Sequence, residues 1–375
     1  MWSNIIGQER VKKILKNIYS SNKISHAYIF YGKEGTGKDA TAIEFAKLIN
    51  CENKTGESEA CDICTSCRQI STLNSSMFKF ITALPSGKKE TSEDDNPVNT
   101  LRDDDYEIFL EEFGRKSKDN YYKISIPNAN DIKISSIRQI KKEIYLTGER
   151  GKKKIFLISN SDQMNPQSSN AFLKILEEPP GDALIILTTS RLNAMLPTIT
   201  GRCQKIRFDA IKKEDLTKFI LNFRSELKLS DAELYADISD GSILKCKSII
   251  DSYFLELREK MIEMLIALVT NKSITLSNII NEIVITKDKE KIRQFLLLII
   301  IWFRDVILVS SGEKENIINK DKAERLEKFS KLYKTDNYKI INFVEDSYKE
   351  LDQNLNIELL LMNLVFRIKS EFRTL

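Results

Sequence analysis

The 375-residue chain is 42% hydrophobic and 30% charged, and its 58 Lys and Arg exceed its 54 Asp and Glu by only four formal charges. That balance points to a soluble globular protein of about two or three domains and is too nearly neutral to argue for a dedicated nucleic-acid binder. The opening MWSNIIGQERVKK lacks the apolar core of a secretion signal, and the longest apolar run, Phe295–Phe303, is nine residues where a membrane span needs about 20. The expected setting is cytoplasmic, with no membrane partner.

The first predicted element that carries chemistry is a short apolar strand, AYIFYG at Ala27–Gly32, which runs into GKEGTGKDA. A helix follows through Asp39–Asn50, with Ile43, Ala46, Leu48 and Ile49 at helical spacing. Strand, glycine loop and helix in that order are the setting of a phosphate-binding loop, whose backbone N–H groups and lysine cradle a nucleotide's phosphates. The candidate nucleotide-binding set is Gly32, Gly35, Thr36, Gly37, Lys38 and Asp39. The pattern G-x-x-x-x-G-K is complete, but the next position, where a Ser or Thr hydroxyl supports magnesium, is Asp39. A carboxylate can ligate the metal, yet here it also faces the phosphates. Two unit charges about 4 Å apart repel by roughly 4 kcal/mol at an effective dielectric near 20. Thr41 offers no substitute, because two helical positions turn it about 200° away. The P-loop is degenerate, and ATP binding is left in doubt.

Four of the six cysteines come next, at Cys51, Cys61, Cys64 and Cys67, in a C-x9-C-x2-C-x2-C array. Disulfides are disfavoured in a reducing compartment, whereas four thiolates close a tetrahedral zinc site. The alternative is four reduced thiols close together by chance, which spacing this compact disfavours. No ligand position looks left open for water, so the expected Zn2+ is structural.

Residues 86–120 break the pattern. They are polar, acidic and turn-rich, and read as a partly mobile insertion with one short helix near Ile108–Phe113. IKISSIRQIKKEI, residues 132–144, has the apolar spacing of a core helix, with Arg138, Lys141 and Lys142 on its solvated side. Apolar strands follow at Ile155–Ile158 and Ala183–Thr189, separated by a helix through NAFLKILEE that Pro179 and Pro180 end. Beyond Phe208 only helices are expected. The lone histidine, His26, has no Ser or Cys nucleophile nearby and reads as a packing residue.

Taken together, IIGQ, HAYIFYGKEGTGK, the cysteine array, NAFLKILEEPP, LPTITGRC and the closing NLNIELLLMNLVFRI resemble, in that order, bacterial DNA polymerase III clamp-loader subunits. These are AAA+ proteins that open a sliding clamp and place it on primed DNA. The resemblance implies α/β followed by all-α architecture. A RecA-like P-loop domain with its zinc knuckle would span 1–208, a small helical lid 209–251, and a helical collar for oligomerisation 252–375. It also implies partners: gamma/tau-like and delta-like loader subunits, with clamp and DNA reached through the complex.

Active members of that family carry an Asp-Glu pair after the strand matched by IFLIS, to support metal and polarise water. Here the matching residues are Ser159 and Asn160, with Asp162 two positions beyond. They also carry an arginine after a Gly-Ser pair in the lid, where GSILKC offers Leu244 and Lys245. Arg202, in TGRC, instead matches the arginine of the family's Ser-Arg-Cys motif, which acts in trans on a neighbour's nucleotide as an arginine finger. A lost site beside a kept finger is similar to the delta-prime, or stator, class, implying no turnover by the chain alone. The alternative is an active gamma/tau-like motor, with Asp39 ligating magnesium and Asp162 as the acid.

Overall fold

The computed structural model describes every residue except 55, 57, 88–95, 147, 251–252, 287, 352, 354–355 and 375. The chain forms two compact units, one of residues 1–219 with 240–245 and the other of 220–239 with 246–375.

The first unit is built on a parallel sheet. In chain order its elements are α1 (Glu9–Ser20), β1 (Ala27–Gly32), α2 (Lys38–Asn50), α3 (Thr65–Ser71), β2 (Phe78–Ile81), α4 (Asp103–Lys118), α5 (Ile134–Ile144), β3 (Lys154–Ile158), α6 (Pro166–Glu177), β4 (Ala183–Thr189), α7 (Pro197–Arg202) and β5 (Gln204–Phe208). The strand order is β2-β3-β4-β1-β5, with Ile29 opposite Leu187 on one side and Lys205 on the other. Every residue of β4 is buried, as expected of a central parallel strand covered on both faces.

Because side chains alternate across a strand, the sheet feeds two cores. Tyr28 and Phe30 of β1 pack with Val11 and Leu15 of α1, Phe45 and Leu48 of α2 and Ile70 of α3. Ala27 and Ile29 join Ile137 and Ile140 of α5, Phe172 and Ile175 of α6 and Ile199 of α7. A fully buried side chain of this size contributes roughly 1.5–3 kcal/mol, so these two layers hold the strand ends in fixed positions. The crevice beyond those ends, where open α/β sheets bind ligands, receives the glycine loop after β1, Ser159 after β3 and Thr188 of β4.

The expected insertion is more ordered than its composition suggests, although its residues 88–95 lie outside the described ones. The short helix expected near Ile108–Phe113 is in fact the 16-residue α4. Three aspartates, Asp103, Asp104 and Asp105, occupy its first turn and Arg115, Lys116 and Lys118 its last, the charge order that the helix dipole favours. Phe109 and Phe113 pack at a tilt with ring centres 4.2 Å apart, and Phe113 meets Phe80 of β2 edge-on at 5.7 Å. This apolar contact docks the helix on the sheet's edge strand.

The second unit is largely helical. After α8 (Lys213–Phe223), which runs across the boundary of the two units, come α9 (Leu229–Ser239), α10 (Ile243–Ile250), α11 (Phe254–Val269), α12 (Ser273–Val284), α13 (Lys289–Ser310), α14 (Ala323–Leu332), α15 (Asn337–Glu350) and α16 (Ile357–Ser370), with a two-residue strand pair between α14 and the C-terminal end. The apolar run Phe295–Phe303 lies inside α13, buried at Phe295, Leu296, Leu298, Ile299, Ile301, Trp302 and Phe303. Asp305, fully buried on the same helix, accepts hydrogen bonds from the backbone N–H of Ile318 and Asn319 and from the Asn319 side chain. Among the described residues no helix is long and apolar enough to cross a membrane. The expected start of the collar, residue 252, lies outside the described residues.

Candidate functional site

The loop Gly32–Lys38 joins β1 to α2. Gly35 and Gly37 have φ of +78° and +87°, the left-handed region that glycine enters without a Cβ penalty. Gly37 then caps the start of α2, and the Gly35 carbonyl accepts the Ile243 N–H at 2.9 Å. Gln8 Nε2 bridges the Thr36 and Asp209 carbonyls and ties the loop to the end of β5. The six candidate nucleotide-binding residues are therefore together, on one loop and the first turn of one helix.

The polar groups of that loop are already engaged. Lys38 Nζ turns back to donate to the carbonyls of Gly32 at 2.9 Å and Lys33 at 2.7 Å. Burial holds its ammonium below the usual lysine range, against the pull of Asp39 and Glu34. Asp39 accepts from Ser159 Oγ at 2.7 Å and Thr188 Oγ1 at 2.6 Å, and Lys116 Nζ from α4 lies 3.5 Å from the same carboxylate. Burial pushes this carboxyl up, but Lys116, the two hydroxyls and Lys38 together hold it below its ordinary value. Thr41 is fully buried and donates to the Gly37 carbonyl, out of the crevice.

The two residues after β3, where the resemblance implies an Asp-Glu pair in active members, carry no acid. Ser159 directs its hydroxyl at Asp39, and Asn160 enters the left-handed region at φ +51°, so the chain turns sharply after β3. Asp162 emerges beyond that turn, where Thr189 Oγ1 at 2.6 Å and Arg191 Nε at 2.8 Å donate to it. It is spent on bracing the end of β4 rather than on the loop. Leu244 lines the crevice and supplies no charge.

A volume of only about 50 Å³ remains between these groups, enough for a few waters, whereas small-molecule sites run to roughly 300–1,000 Å³. Lys116 and Asn120 from the insertion's end, and Tyr121, Tyr122 and Lys123 just after it, line this space. Sequence reasoning missed Lys116 and Tyr121. On α4 the inward residues Ile108, Glu112 and Lys116 follow the i, i+4 spacing of a helix, but the two buried ones, Glu112 and Lys116, are charged and read as solvated surface.

The four array cysteines meet. Cys51 caps the end of α2, Cys64 caps the start of α3 and Cys67 lies in its first turn. All four are buried, with their sulfurs within 4.8 Å of one another. Sulfurs about 2.3 Å from one zinc ion stand about 3.8 Å apart, so the set fits a tetrahedral ion after small adjustment. The backbone N–H groups of Cys61, Cys64 and Cys67 donate to the Sγ atoms of Cys51, Cys61 and Cys64 at 3.3–3.4 Å. Burial opposes ionisation of the Cys61 thiol, yet the N–H groups of Cys64 and Ile63 bring it down to about 6. Four buried sulfurs with donors aimed at them can hold a metal such as zinc.

Arg202 stands apart from both clusters at the end of α7. It is 40% exposed, pairs with Glu177 at 3.0 Å and donates to the Thr198 carbonyl at 3.1 Å.

With the sheet order, loop and cysteine cluster established, comparison with known proteins decides the family. The DNA polymerase III delta-subunit family matches residues 7–212, more than half of the chain, and that subunit's C-terminal family matches residues 252–370. The chain belongs to the DNA polymerase III delta-subunit family. Among individual relatives, the DNA polymerase III subunit delta' of Bacillus subtilis is 24% identical over 366 residues, which is 96% of each chain. The gamma/tau subunit of Mycoplasma pneumoniae is 26% identical over 67% of this chain, which spans only 30% of that relative. A solved gamma-subunit-related protein of Thermotoga maritima aligns with 97% of this chain at 19% identity, with a TM-score of 0.44. As a member of the delta-subunit family, the chain has its P-loop region and its cysteine cluster within the first matched segment and most of its helical unit within the second.

Proposed function

We propose that this chain is the non-hydrolysing stator of a bacterial clamp loader. It completes an AAA+ ring and lends Arg202 in trans to the nucleotide site of a motor neighbour, in ATP-driven loading of the sliding clamp during DNA replication. The partners are gamma/tau-like and delta-like subunits, with clamp and primed DNA met through the assembly. In this reading residues 1–208 are the AAA+ α/β domain, 209–251 the lid and 252–375 the collar, and zinc at the four cysteines has a structural role.

The observation that carries the reading is the contrast between two positions. At the chain's own loop, Asp39 is consumed by Ser159, Thr188 and Lys116, and neither Ser159 nor Asn160 can act as a base toward water. Arg202, by contrast, is exposed, and an exposed ion pair such as that with Glu177 is worth only about 0–1 kcal/mol. Its guanidinium is therefore free to leave for a phosphate on another subunit. The motor reading required Asp39 on magnesium and Asp162 near it, and both carboxylates are already paired with groups of this chain.

The direct test is ATP turnover by the purified chain, alone and assembled with its motor partners. Turnover at background alone, with normal turnover in the assembly, is the expected result. Turnover by the chain alone that Lys38→Ala abolishes would make it a motor.

A further inference from the structure

The described part of the insertion, with the segment through Lys123 that follows it, has no role in the reading above, and neither does the substitution that puts Asp39 in the loop. The structure joins them. Lys116 is 2% exposed, and its ammonium sits among three oxygens: the Asn120 carbonyl at 2.8 Å, the Tyr122 carbonyl at 2.7 Å and Asp39 Oδ2 at 3.5 Å. That is the surrounding of a bound cation, at the carboxylate that stands in the loop's magnesium-supporting position.

Tyr121 completes the occupancy. A Cβ on Gly37 would lie 2.8 Å from the Tyr121 ring, so the ring rests directly on the loop's backbone. The Tyr121 hydroxyl accepts the Ile6 N–H at 2.8 Å, which fixes the ring. Lys123 pairs with Glu34 at the crest of the loop. Glu112, 5% exposed, accepts from the Tyr122 hydroxyl at 2.7 Å and the Ser125 N–H at 2.6 Å, locking α4 to the returning strand of chain.

We propose that the degenerate P-loop is a socket for the chain's own insertion and the segment just after it, in which Lys116 occupies the metal position, Tyr121 covers the loop at Gly37, and together they exclude nucleotide. Asp39 is then the anchor of that plug rather than a damaged magnesium ligand. The inference goes beyond the stator reading, because a stator that cannot hydrolyse ATP is still free to bind it.

The test is binding of MgATP and of fluorescently labelled MgADP to the full chain. No saturable binding is expected up to about 1 mM nucleotide, the weak end of specific affinity. Asp39→Ser alone, which restores the full motif, leaves binding absent because Lys116 and Tyr121 still fill the site. Asp39→Ser combined with Lys116→Ala and Tyr121→Ala gains saturable binding, about tenfold or more tighter than that 1 mM limit. Saturable binding by the native chain, or by Asp39→Ser to the same degree as the triple variant, overturns the proposal. Such a result leaves the stator reading standing, since hydrolysis is measured separately. If the triple variant does not fold, hydrogen exchange on the native chain decides. Protection of residues 33–40 and 112–123 that MgATP does not change supports the plug, and protection that MgATP alters overturns it.

Discussion

Asp39 occupies the position where a phosphate-binding loop ordinarily offers a hydroxyl, and its surroundings give the carboxylate a different task. Its charge is stabilised by Lys116 and by hydroxyls from Ser159 and Thr188. Removing Lys116 leaves a half-buried carboxylate without its cation, while Lys116→Met avoids a cavity. Breaking a fully buried pair costs about 3–5 kcal/mol. Because Asp39 is partly exposed and keeps two hydroxyl donors, Lys116→Met is expected to cost about 1–3 kcal/mol in urea unfolding. The pH dependence has a definite sign. A carboxyl held below its ordinary value of 3.8 in the folded chain contributes stability that is complete above that value and is lost as pH falls through the folded one. The urea unfolding midpoint should therefore hold from neutral pH down to about pH 5 and fall below about pH 4. In Lys116→Met that fall should be smaller, because the carboxyl of the folded variant no longer lies as far below its ordinary value.

At the scale of elements, β1, β3 and β4 were legible because central parallel strands are continuous apolar runs. The edge strands β2 and β5 were not, since each pairs with one neighbour only and FKFI and QKIRF alternate apolar and polar residues over four and five positions. The helix α4 was underestimated for a related reason. It faces the sheet with Glu112 and Lys116 as well as Phe109 and Phe113, so no apolar stripe marks its full length. The glycine loop and the cysteine array could be read because their residues are neighbours in sequence. Asp39 and Thr188 are 149 positions apart, and no local pattern announces such a contact. The cysteine cluster gives this scale its own prediction. Metal analysis should find one zinc per chain, and Cys64→Ser should destabilise the α/β unit by on the order of 4 kcal/mol, as loss of a structural metal does. Because the metal's binding energy is coupled to local folding, a chelator should expose α3 to proteolysis before the sheet opens. Full stability of the metal-free chain would contradict a structural zinc.

For the whole molecule, the account requires the chain to work as one member of a ring. The helical unit leaves large apolar side chains outside, among them Ile274, Ile285, Leu359 and Phe366. Leu359 and Phe366 are seven residues apart on α16 and so share a face. Leu359→Asp with Phe366→Asp should leave the helical content unchanged and prevent incorporation into the loader, as read by size-exclusion chromatography of the mixed subunits. Normal assembly of that variant would place the subunit contacts elsewhere. The central claim is that this chain stimulates hydrolysis without performing it, and DNA-stimulated ATP turnover of the reconstituted loader tests it most directly. Arg202→Ala should lower turnover partially, about two- to fivefold, since a finger worth 10³–10⁵ at one site is diluted by other motor sites. Lys38→Ala should leave turnover within error of the native assembly. The reverse pattern, with Lys38 essential and Arg202 silent, would contradict the account.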